Sequence, residues 1–255
     1  MIKLVNKSQY FELFNDYAAL KIKALVKSYG FGYVFCNFWV QFNENNQPTA
    51  LISLFYKSAT ISYLKNADLG ELEDFIEFLG PNEICCKADS LKIDAPYMSV
   101  NSMSRKSDRI ATNFLFNGTY AQCKKIYDIF KGAGDDINIG DFNSWYLDLN
   151  HRVRHNSAAI FLEDYGGAVI LTDGKDAIIN GIAIKDEFKN SGNGKELINK
   201  ICKEDTFDDI YVLCSNSVAP FYEKCGFKFK NKYWIYNLWG FIWINFLIFQ
   251  KEFWN

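Results

Sequence analysis

Apolar and polar positions follow two rhythms along this chain, and the rhythms recur in the same order in each half. Tyr10–Lys27 has apolar residues at helical spacing and predicts one or two helices. Phe35–Asn43 and Thr49–Tyr56 are apolar runs on either side of Asn45-Asn46-Gln47-Pro48, which predicts a hairpin. Ala59–Lys65 predicts a further strand, Leu69–Leu79 an amphipathic helix, and Glu83–Ala88 a short buried strand.

The second half repeats this order. Ala121–Lys131 and Phe142–His155 predict helices, and Ala158–Glu163 with Ala168–Thr172 a hairpin turned by Gly166-Gly167. Asp176–Ile184 predicts a strand, Glu196–Lys203 a helix, Asp209–Cys214 a second buried strand, and Val218–Cys225 a short helix stopped by Gly226. The offset between matching elements is nearly constant, so the chain reads as two similar units in tandem. We expect an α/β protein with a mixed sheet, divided into residues 1–110 and 111–255, with the boundary inside Ser102–Gly118.

The end of the chain breaks the pattern. Tyr233–Phe249 is apolar almost throughout, but its 17 residues fall short and enclose Asn237, Gly240 and Asn245, whereas a spanning helix needs about 20 apolar residues. Its β-branched and aromatic content favours strands. Lys228–Leu238 is expected to supply the last strands of the second unit. Phe241–Phe249 is expected as a buried extra strand or as a contact between protomers of a homodimer. Membrane attachment is not expected.

Composition narrows the function. A net charge of −2 and a pI of about 5.8 argue against a general binder of nucleic acid or anionic membranes, which would need a basic face. Seven cysteines, odd in number and irregular in spacing, with several in apolar runs, read as reduced core residues of a cytoplasmic protein. No Cys-x-x-Cys occurs and there are two histidines, so no metal site is expected.

The chemistry concentrates between Asp176 and Phe227. There a strand runs into Lys189-Asn190-Ser191-Gly192-Asn193-Gly194, a loop whose two glycines open a helix. Glycines leave backbone N–H groups unobstructed, and a helix N-terminus adds the positive end of its dipole, so this is anion-binding chemistry. Downstream stands Phe221-Tyr222-Glu223-Lys224-Cys225-Gly226-Phe227.

These two motifs, in this order and separation, resemble the GNAT N-acetyltransferase superfamily. Its pyrophosphate loop has the pattern Arg/Gln-x-x-Gly-x-Gly/Ala, here with Lys189 in the first place, and its late signature reads as a Tyr before Gly-Phe. The resemblance covers Gly118 to about Trp234 well. It implies a GNAT-like fold in the second half, preceded by a degenerate GNAT-like unit. The first half has Lys65-Asn66-Ala67-Asp68-Leu69-Gly70 in place of the glycine loop, and Asp68 there repels a pyrophosphate. That unit either shapes the acceptor site or is purely structural.

The resemblance further implies acetyl-coenzyme A as cofactor and an amine, small molecule or peptide, as acceptor. Lys189, Asn190, Ser191, Gly192, Asn193, Gly194 and Lys195 would hold the diphosphate, with N–H groups from Asn193, Gly194 and Lys195. The backbone of Ile182, Ala183 and Ile184 would pair the pantetheine amides, which requires a strand edge freed by a bulge. Tyr222 would be the general acid for the departing thiolate, and Asn216 or Ser215 would bond the cofactor. No general base stands out. Glu163, Asp164, His151 and His155 are expected near the acceptor, and Tyr146, Arg154 and the histidines lie on the helix that borders it in the family. The Arg-His cluster either binds an acidic substrate or is a solvated helix face, and deprotonation through water needs no residue at all.

Overall fold

The computed structural model describes residues 1–88, 91–108, 118–133, 139–203 and 207–238. Its contacts divide into two units. The first comprises Met1–Val100 with the stretch that begins at Asn231, and the second comprises Asn101–Lys230.

In the first unit the sheet runs β1 (Ile2–Leu4), β2 (Cys36–Phe42), β3 (Pro48–Phe55), β4 (Ser58–Tyr63), β5 (Glu83–Lys87) and β11 (Lys228–Asn237). All neighbours are antiparallel except β4 and β5. The expected hairpin forms where Asn43 Oδ1 accepts the N–H groups of Asn45 and Gln47 and Asn46 takes a φ of 56°. Helix α1 (Tyr17–Tyr29) packs with Phe11, Phe38 and Val40, and α2 (Leu69–Leu79) with Ile52, Ile61 and Ile84. Asp68 caps α2 at its start, and Gly80, at φ 55°, ends it.

The second unit has the same plan. Helices α3 (Tyr120–Gly132) and α4 (Phe142–Arg154) precede β7 (Ala158–Glu163), β8 (Gly166–Thr172) and β9 (Ala177–Ile184). Then come α5 (Asn193–Cys202), β10 (Asp209–Cys214) and α6 (Ala219–Lys224). The strand order is β7, β8, β9, β10, then β6 (Tyr97–Lys106), with only β9 and β10 parallel. A Thr119–Gln122 capping box starts α3 and Asp141 caps α4. In α5, Leu197, Ile198, Ile201 and Cys202 form the buried stripe.

Each unit is therefore completed by a strand from the other half of the sequence. Residues 83–87 of β5 pair with 233–237 of β11, and residues 209–214 of β10 pair with 101–106 of β6. The expected last strand over Lys228–Leu238 does form, as Lys228–Asn237, but it hydrogen-bonds β5 of the first unit. Periodicity reveals a strand and not its partner. The turn between β7 and β8 is also displaced, to Asp164-Tyr165, and Gly166-Gly167 open β8 instead. Gly167 meets a packing demand rather than a turn demand, because a Cβ there would lie 2.2 Å from Ile126 Cδ1 on α3.

All seven cysteines are buried thiols. Burial pushes the Cys85 and Cys123 thiols up to about 11 and the Cys202 and Cys214 thiols up to about 12. Thiolates are the reactive form, so a sulfhydryl reagent at pH 8 should label the folded protein slowly and all seven positions in denaturant. Fast labelling of two or more sites in the folded protein would contradict this core.

Among the described residues no helix is long and apolar enough to cross a membrane. The expectation for Phe241–Phe249 lies outside the described residues.

Candidate active site

The site is built where β9 leaves β10. The parallel ladder has rungs at Ala177–Ile210, Ile178–Tyr211 and Ile179–Val212 and stops there. On its other side β9 pairs β8 with a register shift: Ile170 faces Ile179, Val169 faces Gly181, and Asn180 is the extra residue. This bulge sits where the ladder to β10 ends, and a bulge bends its strand. The two strands splay from that point toward Ile184.

The splay frees a defined set of backbone groups. Lys185 N–H donates to Tyr165 O at 2.9 Å, which fixes the alternation along the strand. Ala183 then turns its backbone groups to β8, while Ile182 and Ile184 present theirs to the open side. The side chains of Ile182 and Ile184 join a core with Leu197, Val212, Cys214 and Tyr222.

After β9 the chain makes a 3-10 turn (Asp186–Phe188) and enters the glycine loop. Asn190 and Gly192 have φ of 59° and 83°. A Cβ on Gly192 would meet nothing within 4 Å, so the left-handed backbone, not crowding, is what calls for glycine there. Gly192 caps α5 without a side chain. Asn193 Nδ2 donates to Phe188 O at 2.9 Å and Ser191 Oγ to Lys189 O at 3.2 Å, which braces the loop from within. Among the described residues no acceptor takes the N–H groups of Asn193, Gly194 or Lys195. Ser191 and Gly192 are exposed. Lys189 is ion-paired with Asp186, and Lys195 is exposed. An open groove of about 410 Å³ runs on from Gly192 along Lys195, Glu196, Asn199, Lys200 and Lys203.

Tyr222 lies on α6, 1% exposed, with its ring edge-on to Phe221 and Phe227. Ser215 Oγ is 2.8 Å from Ser217 Oγ. Asn216 Oδ1 accepts from Asn101 Nδ2 on β6 at 2.9 Å. Asn101 is not legible as a site neighbour, because β6 lies ahead of residues 111–255, the span the sequence assigns to the second unit. The same holds for Arg105 on β6, whose guanidinium reaches Asn199 Oδ1, Cys225 O and the Asp108 carboxylate. It thereby ties α5 to the end of α6.

The acceptor candidates do not come together. Glu163 ends β7 opposite Gly166 of β8, which on its other side faces Ile184, and is ion-paired with Lys200 of α5 at 2.9 Å. Hydrogen bonding to Glu163 holds the Lys200 amine above its ordinary range. The His151 and His155 rings are 4.2 Å apart, and His155 Nδ1 lies 2.8 Å from His151 O. Their helix ends just before Ser157, whose carbonyl accepts from Thr172 N–H, and Thr172 pairs with Ala177. Ala177 and Ile184 are opposite ends of β9, about 23 Å apart at the rise of a strand. His151, Arg154 and His155 thus belong to the far end of the sheet from the splay. Tyr146 packs its ring against Tyr120 and Phe142.

The comparisons with known proteins agree with this geometry. Residues 153–229 match the family model described as an acetyltransferase (GNAT) domain. A search of curated proteins finds no match to the sequence. Among solved structures, a GCN5-related N-acetyltransferase from Kribbella flavida is similar with a TM-score of 0.54 at 11% identity, covering 91% of this chain and 96% of that one. A GCN5-related N-acetyltransferase from Sphaerobacter thermophilus is similar with a TM-score of 0.53 at 12% identity, covering 78% and 79%. At such identities the likeness speaks for the fold, and the matched residues hold the bulged β9, the glycine loop, α5 and Tyr222. Residues 153–229 therefore match a GNAT acetyltransferase domain, in a chain whose fold is similar to that of GNAT structures.

Proposed function

We propose that the second unit binds acetyl-coenzyme A and transfers its acetyl group to an amine, in a small molecule or a peptide, as a cytoplasmic N-acetyltransferase. The observation that carries this reading is the meeting of two features within one unit. Three unclaimed N–H groups open α5, and an unladdered edge of β9 stands just before them. The first suits a diphosphate and the second suits a chain of amides.

In this reading the diphosphate accepts from Asn193, Gly194 and Lys195 N–H, and the Lys195 ammonium adds charge. The pantetheine arm lies along β9 as an added strand and exchanges hydrogen bonds with Ile182 and Ile184. The thioester then reaches the Tyr222 end of the core. The acceptor nitrogen attacks the thioester carbonyl carbon, a C–N bond forms and the C–S bond breaks. Tyr222 gives its hydroxyl proton to the departing sulfur, and the nitrogen's surplus proton leaves through water. Residues positioned for that last step are scarce, since Glu163 is committed to Lys200 and the histidines lie at the other end of the strands.

That scarcity favours a second reading, a non-catalytic acyl-coenzyme A binder on the same fold. Release of free thiol from acetyl-coenzyme A in the presence of amines separates the two. Under the transferase reading, Tyr222→Phe lowers kcat by about 10²-fold while cofactor affinity stays within about twofold, as expected for loss of one general acid. Full activity in that variant would remove Tyr222 from the chemistry.

A further inference from the structure

The first unit retains the outline of the same cleft, and its own side chains occupy it. Its parallel pair β4–β5 has rungs at Ser58–Glu83, Ala59–Ile84 and Thr60–Cys85 and then stops, as β9–β10 does three rungs in. Leu64 N–H donates to Thr49 O, so the alternation turns the Tyr63 carbonyl to the open side. Tyr63 stands three residues past the last rung, the step that Ile182 holds in the second unit.

That carbonyl already has a donor. Lys87 Nζ lies 3.3 Å from Tyr63 O and 2.7 Å from Asp16 Oδ2, with the ammonium 5.4 Å from the Tyr63 ring centre. Lys87 is two residues past its last rung, the step held in the second unit by the neutral, buried Cys214. A lysine therefore donates where a pantetheine amide would.

The helix start is closed in the same way. Asp68 Oδ1 accepts Glu71 N–H at 3.1 Å at the head of α2, where Gly192 leaves the corresponding groups of α5 open. The buried Gln41 carboxamide locks this cap, accepting from Asp68 N–H at 3.1 Å and donating to Glu71 Oε2 at 2.9 Å. Two carboxylates in the first turn repel any diphosphate.

We infer that the first unit is a self-plugged copy of the cofactor cleft, with Lys87 filling the strand edge and Asp68 the helix cap, so that each chain takes one thioester carrier. The stoichiometry rests on the function proposed for the second unit; the plug does not.

Two measurements on the full chain test it. Calorimetric titration with coenzyme A should give one equivalent for the native protein and none for Gly192→Asp. Two equivalents, or binding that survives in Gly192→Asp, would overturn the inference. Thermal unfolding of Lys87→Met, which keeps the aliphatic stem and removes the donor, should show Tm lowered by roughly 3–8 °C. An unchanged Tm would show that Lys87 does not hold the cleft. No binding by the native protein would overturn the function proposed for the second unit, and the Tm of Lys87→Met would still decide the plug.

Discussion

Gly192→Asp should abolish coenzyme A binding without weakening the fold. The new carboxylate would sit where Asp68 sits on α2, at the head of a helix whose first N–H groups have no protein acceptor. It would take one of those groups itself and place a negative charge on the axis of the diphosphate. Hydrogen bonds from N–H groups to a charged phosphate contribute about 1.5–3 kcal/mol each. Losing two of them weakens binding by roughly 10²- to 10⁴-fold. Holding the left-handed backbone at φ 83° costs an aspartate about 1–2 kcal/mol, and an N-cap returns about 1 kcal/mol. Because a Cβ at Gly192 meets nothing within 4 Å, the exposed loop has room to adjust. The variant's Tm should stay within about 3 °C of the native value, which separates loss of binding from loss of structure. A variant that still binds coenzyme A with native affinity would show that α5 does not hold the diphosphate.

Cutting the chain between its two apparent halves should leave neither half folded. A fragment of residues 1–110 keeps β5 but loses residues 233–237, which form five consecutive pairs with it. Tyr233, Ile235 and Tyr236 are at most 1% exposed, and Tyr233 packs edge-on against Tyr17. Burying three side chains of this size stabilises a domain by about 1.5–3 kcal/mol each. The sum rivals the about 5–15 kcal/mol net stability of a whole domain. A fragment of residues 111–255 loses 101–106, which form six pairs with β10 and supply Met103 to the core and Arg105 to the brace between α5 and α6. Each fragment alone should show low helix and strand content by circular dichroism, and mixing the two during refolding should restore both. A cooperative thermal transition from either isolated fragment would contradict the exchange of strands.

Much of this arrangement is legible in the residues, for identifiable reasons. The helices α2, α5 and α6 carry their own start and stop signals in Asp68, Gly192 and Gly226, and the buried strands β9 and β10 are set off by polar loops. The glycine loop is legible because Phe221–Phe227 stands downstream of it; a Gly-x-Gly alone would read as an ordinary turn. Long-range relations are not. The pairing of β11 with β5 depends on which edge is vacant, and β11 carries no mark of it. The separation of His155 from Ile184 follows from strand direction, and a linear run of charged residues does not reveal it. The bulge at Asn180 is a third instance, since an extra residue in a ladder shows only against its partner β8.

The three backbone amides at the head of α5 can be observed directly. In nitrogen–proton correlation spectra of the full chain, coenzyme A should move the Asn193, Gly194 and Lys195 amide resonances, with saturation at one equivalent and the proton shifts downfield. Amides at Ile182 and Ile184 should move with them. Spectra in which coenzyme A leaves those three amides in place, whether or not other signals respond, would contradict the account.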